Sequence, residues 1–205
     1  NEPVTESPDE DDPRDPEDAV NYYNRALNLL EQNADELDEA RQELIESQDL
    51  PDFDATSINS RISEARRLLK QAENSDDGSL SSEIEALQTI TSYQETTVKF
   101  NESYLKMVGL IGTGLDEFSD GRHESAIEIL KNAKQQIEPT NSLIKKVGEK
   151  LDEVKNAVEK SDIDNSTVER LILVDEQNKE TQIEISIMEH LIPARMSEIE
   201  GDLYF

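Results

Sequence analysis

The sequence predicts an all-α protein, an elongated antiparallel bundle of about six helices. Three observations carry this. Apolar residues recur at three- and four-residue spacings along most of the chain, and the segments between them are short and rich in turn formers. Only one stretch, Ile183, Ile185 and Ile187, alternates as a strand would. It has no second strand to pair with, so helix is the reading there too.

Asp15-Pro16-Glu17-Asp18 opens the first helix: Asp15 caps free amides, Pro16 suits the first helical position, and the acids face the positive dipole end. Tyr23, Leu27, Leu30, Ala34, Leu37 and Leu44 then form a coiled-coil-like seam interrupted by Arg41. This helix is expected to reach about Gln48 and stop at Leu50-Pro51, because a residue before proline avoids helical angles. A Thr56/Ser57 cap precedes a shorter second helix on Ile58, Ile62, Ala65, Leu69 and Ala72, and residues 74–78 turn the chain.

Ser82 with Glu85 reads as a capping box opening a long third helix, with Ile84, Leu87, Ile90, Val98, Leu105, Val108, Leu115 and Phe118 as its apolar series. Thr91, Gln94 and Asn101 interrupt the series, so a bend is expected. After an Asp120-Gly121 turn, Ala126, Ile127, Leu130, Ala133 and Ile137 make a fourth helix closed by Pro139. Ile144, Val147, Leu151, Val154 and Val158 make a fifth. A second box, Ser166 with Glu169, starts a last helix carrying Leu171, Val174, Ile185, Met188, Ile192, Met196 and Ile199. Pro193 is expected to kink or split it.

Composition narrows function. The 205 residues hold 48 Asp and Glu against 20 Lys and Arg, a formal charge of -28, and no Cys or Trp. Leu, Ile, Val and Phe make up about 24% of the chain, just above the roughly 20% below which chains tend to be disordered. The core is therefore thin. Such a charge opposes phosphate backbones and anionic headgroups, which excludes nucleic acid as a partner. The basic runs at Arg66-Arg67 with Lys70 and Lys145-Lys146 with Lys150 read as solvated helix faces. Residues 1–16, with four of the seven prolines, read as an extended acidic tether, and residues 17–205 as the helical domain. No stretch has the 18 or so apolar residues that a membrane span needs.

No constellation points to catalysis, and no cofactor or metal is expected. Gly109-Leu110-Ile111-Gly112-Thr113-Gly114 lacks the Lys-Ser/Thr ending of a phosphate loop and follows no strand, so close helix packing is the reading. His123 and His190 have no partner at metal-ligand spacing. The Asp clusters at 49–54 and 162–164 lack the sixth-position Gly and twelfth-position Glu of a calcium loop. What remains is binding. Leu27, Leu30, Leu37 and Leu44 are the candidate seam, either intrachain core or a surface for a protein partner or a second copy. A pocket near Tyr93, Tyr104 and the glycine cluster is the candidate for a ligand-binding sensor or solute-binding accessory role. Asn101 and Asn165 begin Asn-x-Ser/Thr sequons and are candidate glycosylation sites.

Two resemblances add to this. Acid spread along the whole chain, with few lysines, resembles haloarchaeal proteins, and the acidic Pro-rich start resembles the mature end of their secreted lipoproteins. That likeness implies a lipid anchor upstream of Asn1 and a place on the outer face of the cell membrane, the alternative being cytoplasmic. Residues 107–139 resemble one tetratricopeptide helix pair. Gly114 takes the small position of close helix contact, Gly121 the turn, Ala126 and Ala133 the small positions of the second helix, and Leu130 the large one. His123, Phe118 and Pro139 depart from the pattern. Residues 19–27 are similar to the second helix of another such unit. This resemblance implies partner binding along a groove and no catalytic residue.

Overall fold

The computed structural model describes residues 15–46, 53–172 and 175–202. Every regular element among them is an α-helix: α1 (Pro16–Glu46), α2 (Ala55–Ser75), α3 (Ser81–Ser119), α4 (His123–Val158), α5 (Asn165–Leu171) and α6 (Asp175–Asp202). The tether and the Leu50-Pro51 stop lie outside the described residues, apart from Asp15 and Pro16. Asp15 does cap α1, its carboxylate accepting from Glu17 N at 3.0 Å.

The other starts use different caps from those expected. Asp54, rather than Thr56 or Ser57, accepts from both of those residues' amides at 3.1 Å and starts α2. Neither capping box forms. Before α3, the buried Asp76 carboxylate takes Leu80 N at 3.0 Å and the hydroxyls of Ser79 and Ser81, while Ser82 turns to Glu83. Asp164, not Ser166, caps α5 through Thr167 N at 3.0 Å. A carboxylate in the loop outcompetes a hydroxyl because charge-assisted bonds to backbone amides are stronger.

Neither interior proline ends a helix. Pro139 sits inside α4, which merges the two helices expected there, and Pro193 sits inside α6. The reason lies in phase. Ala126, Leu130, Ala133, Ile137, Thr140, Ile144, Val147, Leu151 and Val154 are all buried and keep one alternating four–three rhythm across Pro139. Burying that stripe offsets the roughly 3 kcal/mol that an interior proline costs. Thr140 also bonds back to Gln136 O at 2.7 Å and meets Ser103 of α3 at 2.7 Å.

α3 is the central rod, about 58 Å long at 1.5 Å per residue. It folds back on α4 through a turn in which Gly121 has φ +77. Gly121 N donates to Phe118 O and Arg122 N to Glu117 O, a paired closure that needs a left-handed residue. Arg122 then clamps Glu117 and Asp120. His123 packs its ring 5.3 Å from that of Phe118. Gly114 lets the two helices close up: a Cβ there would lie 2.8 Å from Leu130 Cγ.

α2 runs antiparallel to α3, with Arg66 against Glu95 and Gln88 against Glu73. α1 runs parallel to it, with Asn33 against Gln94. Both registers place the described ends of α1 and α2 beside about Lys106 or Met107 of α3. Further along, among the described residues, α3 packs chiefly against α4, on which α6 is laid. One main core cluster joins residues of all six helices. A smaller cluster unites Leu37, Ile58, Ile62 and Val98. Thr91 and Gln94, which break the apolar series of α3 on paper, are buried in the half of the rod that has helices on several sides.

Candidate functional site: an apolar groove between α3 and α6

Beside the last described turns of α1 and beyond them, a groove of about 660 Å³ opens between α3 and α6. That volume lies in the range of ligand and peptide sites. α3 supplies Phe100, Asn101, Tyr104, Leu105, Val108 and Ile111. α6 supplies Glu180, Thr181, Glu184, Ile187, Met188, Leu191 and Ile192, and Ala40 of α1 closes one end. The two walls run in the same direction, because Gln94 reaches Leu171 O just before α6 while Tyr104, further along, reaches Glu184.

The polar groups gather at one end. Tyr104 Oη donates to Glu184 Oε2 at 2.8 Å, and its ring stacks on Phe100 with centroids 5.7 Å apart. Glu180 stands one turn before Glu184, and among the described lining residues no side chain is cationic. The other end, around Ile111, Leu191 and Ile192, is wholly apolar.

α6 explains why the groove stays open. Its buried stripe is Ile185, Ile192 and Ile199, seven residues apart. A second stripe, Ile183, Ile187 and Leu191, is 61%, 54% and 48% exposed and flanks the groove. One helix thus carries two apolar stripes, and the fold consumes only one. The strand-like alternation of Ile183, Ile185 and Ile187 was the sequence signal for this pair of stripes; it was read only for secondary structure.

The candidate residues divide accordingly. Tyr104 lines the groove. Tyr93 is buried in the main core and does not, although eleven residues place it on the same face of α3. The glycine-rich stretch 109–114 adjoins the wall: Ile111 within it and Val108 just before it line the groove, while Gly114 faces Leu130. Leu30 and Leu37 of the seam are buried within the chain and Leu27 is half-buried against the main core, whereas the side chain of Leu44 lies outside the described set. Asn101 sits mid-helix in the groove wall, and Asn165 is exposed at the first position of α5. Sequence reasoning missed Ile183, Ile187, Leu191 and Glu184.

A second depression, at the start of α4, holds Arg122 and His123. The Arg122 guanidinium is already engaged by two carboxylates, Glu117 and Asp120. Among the described residues no group of three His, Asp or Glu is placed to hold a metal ion, and no helix is long and apolar enough to cross a membrane. The chain has no significant match to a known protein family, a curated protein or a solved structure.

Proposed function

We propose that this chain is a non-catalytic helical interaction module of a halophilic archaeon, held at the cell surface and docking a protein partner along the α3–α6 groove. The observation that carries the reading is the stripe Ile183, Ile187 and Leu191, exposed beside an apolar groove on an otherwise strongly acidic molecule. Water-facing apolar stripes rimmed by charge mark interaction sites. The wall is apolar apart from one acidic end, which suits binding by burial rather than proton transfer. The charge of -28 supports the saline setting, since concentrated electrolyte screens mutual repulsion. The acidic, Pro-rich composition of residues 1–16 and the exposed sequon at Asn165 support an outer-face location. Tight α3–α4 packing at Gly114 and Leu130 supports the tetratricopeptide-like reading. The passage of α4 through Pro139 is a departure from it.

A second reading, a ligand-binding sensor, is favoured by the groove's volume and by the Tyr104–Glu184 pair, which would orient a small polar head. A photo-crosslinking amino acid at Ile187, with one at Val20 as control, separates the two in cells of origin. Protein adducts from position 187 alone are expected. A small-molecule adduct would favour the sensor, and no adduct would defeat both.

A further inference from the structure

Resting on that docking role, we infer that the groove takes a basic amphipathic helix of about three turns from a different protein. The first argument is shape. The walls span Phe100 to Ile111 on α3 and Glu180 to Ile192 on α6, each about 16–18 Å at 1.5 Å per residue. They are roughly parallel rods, and the described part of α1, which lends Ala40 to the groove, ends partway along them. A third rod laid beside the end of α1 covers both the groove floor and the Ile183–Ile187–Leu191 stripe. Grooves of this kind read a helix through apolar anchors at i, i+3 or i+4, and i+7.

The second argument is charge. Glu180 and Glu184 stand at one end of the groove, and no cation among the described residues lines it. A helix with Lys or Arg near that end and leucine-like anchors beyond it meets both ends of the groove. A second copy does not. Its own exposed stripe is interleaved with Glu184 and Glu189, so pairing two copies would set carboxylates against carboxylates between chains of -28 each.

The test uses the full chain in 1 M KCl, where the Debye length is about 3 Å and diffuse attraction is muted. Three labelled 14-residue peptides are titrated: one with an apolar stripe and lysines, the same with glutamates for lysines, and a scramble of the lysine peptide that breaks the stripe. The lysine peptide is expected to bind at least ten-fold tighter than either control. Ile187→Gln should weaken it ten-fold with helicity unchanged, Val20→Gln should have no effect, and Glu180→Lys should reverse the preference toward the glutamate peptide. Equal binding of peptide and scramble, or no binding, overturns the inference. So does a concentration-dependent dimer abolished by Ile187→Gln, which would assign the groove to a second copy. Octylammonium binding without peptide binding would assign it to a small amphiphile and also overturn it. If the lysine preference fails while position 187 still crosslinks to protein, the basic helix is wrong and the docking role stands.

Discussion

Asn33 of α1 and Gln94 of α3 meet inside the bundle, the Asn33 amide donating to Gln94 Oε1 at 3.3 Å with both residues fully buried. Gln94 in turn donates to the carbonyls of Leu30 at 2.8 Å and Leu171 at 3.3 Å. Arg61 of α2 completes the network, its Nε donating to Asn33 Oδ1 at 2.7 Å while its other nitrogens hold Ser57 and Glu36. Four helices are thus keyed to one register at a polar centre.

Gln94→Ala should therefore destabilise the chain by about 2–3 kcal/mol, since it strands the Asn33 amide and removes a partner of Leu171 O. In a chain of this size that is roughly 5–10 °C of melting temperature. Amide exchange in α5 should rise with it, because Gln94 is one of the groups that hold Leu171, beside its burial in the core and the Arg170–Glu31 pair. A melting change under 1 °C would show the network to be idle.

Gly114 and Gly112 make a matched pair. Both lie in α3, but a Cβ on Gly114 would strike the buried Leu130 at 2.8 and 2.9 Å, while one on Gly112 meets nothing within 4 Å. Gly112→Ala should stabilise by about 0.5–1 kcal/mol through helix propensity. Gly114→Ala should destabilise in spite of the same gain. Chemical denaturation of the two variants checks the opposite signs.

Asp164 has its pKa lowered from 3.8 to about 2 by hydrogen bonds from the Ser166 and Thr167 hydroxyls and the Thr167 amide. A lowered carboxylate stabilises the fold above its unfolded pKa and loses that contribution as pH falls through the folded one. Asp164→Asn keeps a capping side chain without the charge. Wild type should out-melt it at pH 5, and the gap should close toward pH 2. A gap independent of pH would contradict the assignment.

Salt should act on the whole molecule. Exposed ion pairs such as Arg67–Glu64 and Arg195–Glu198 contribute little, so the net charge of -28 is largely uncompensated. Melting temperature should rise on the order of 10 °C between 0.05 M and 2 M KCl as repulsion is screened. Full helicity and unchanged melting in dilute buffer would refute this.

The bundle was legible because burial imposes one period on every helix. Where particular residues misled, local chemistry was given weight over phase. Pro139 and Pro193 read as breaks, yet the apolar rhythm continues through both, and phase decides when a long face can be buried. Thr91 and Gln94 read as interruptions because a single-face seam was assumed; a central helix is buried on more than one face, and there polar side chains bond inward. The groove was half legible. Tyr104 was a candidate, but its wall across from α3 comes from α6, some 80 residues away, and no local spacing predicts where α1 and α2 cease to cover α3.

The most direct test of the central claim is thermal unfolding in 2 M KCl with and without the stripe-bearing lysine peptide. It compares wild type with a triple variant, Ile183→Gln, Ile187→Gln and Leu191→Gln. At a peptide concentration 100 times Kd, wild type should gain about 2.7 kcal/mol and melt higher. The variant should melt within a few degrees of free wild type and show no gain, since the fold leaves about half or more of each of these side chains exposed. A variant that collapses without peptide, or that keeps the full gain, would contradict the account.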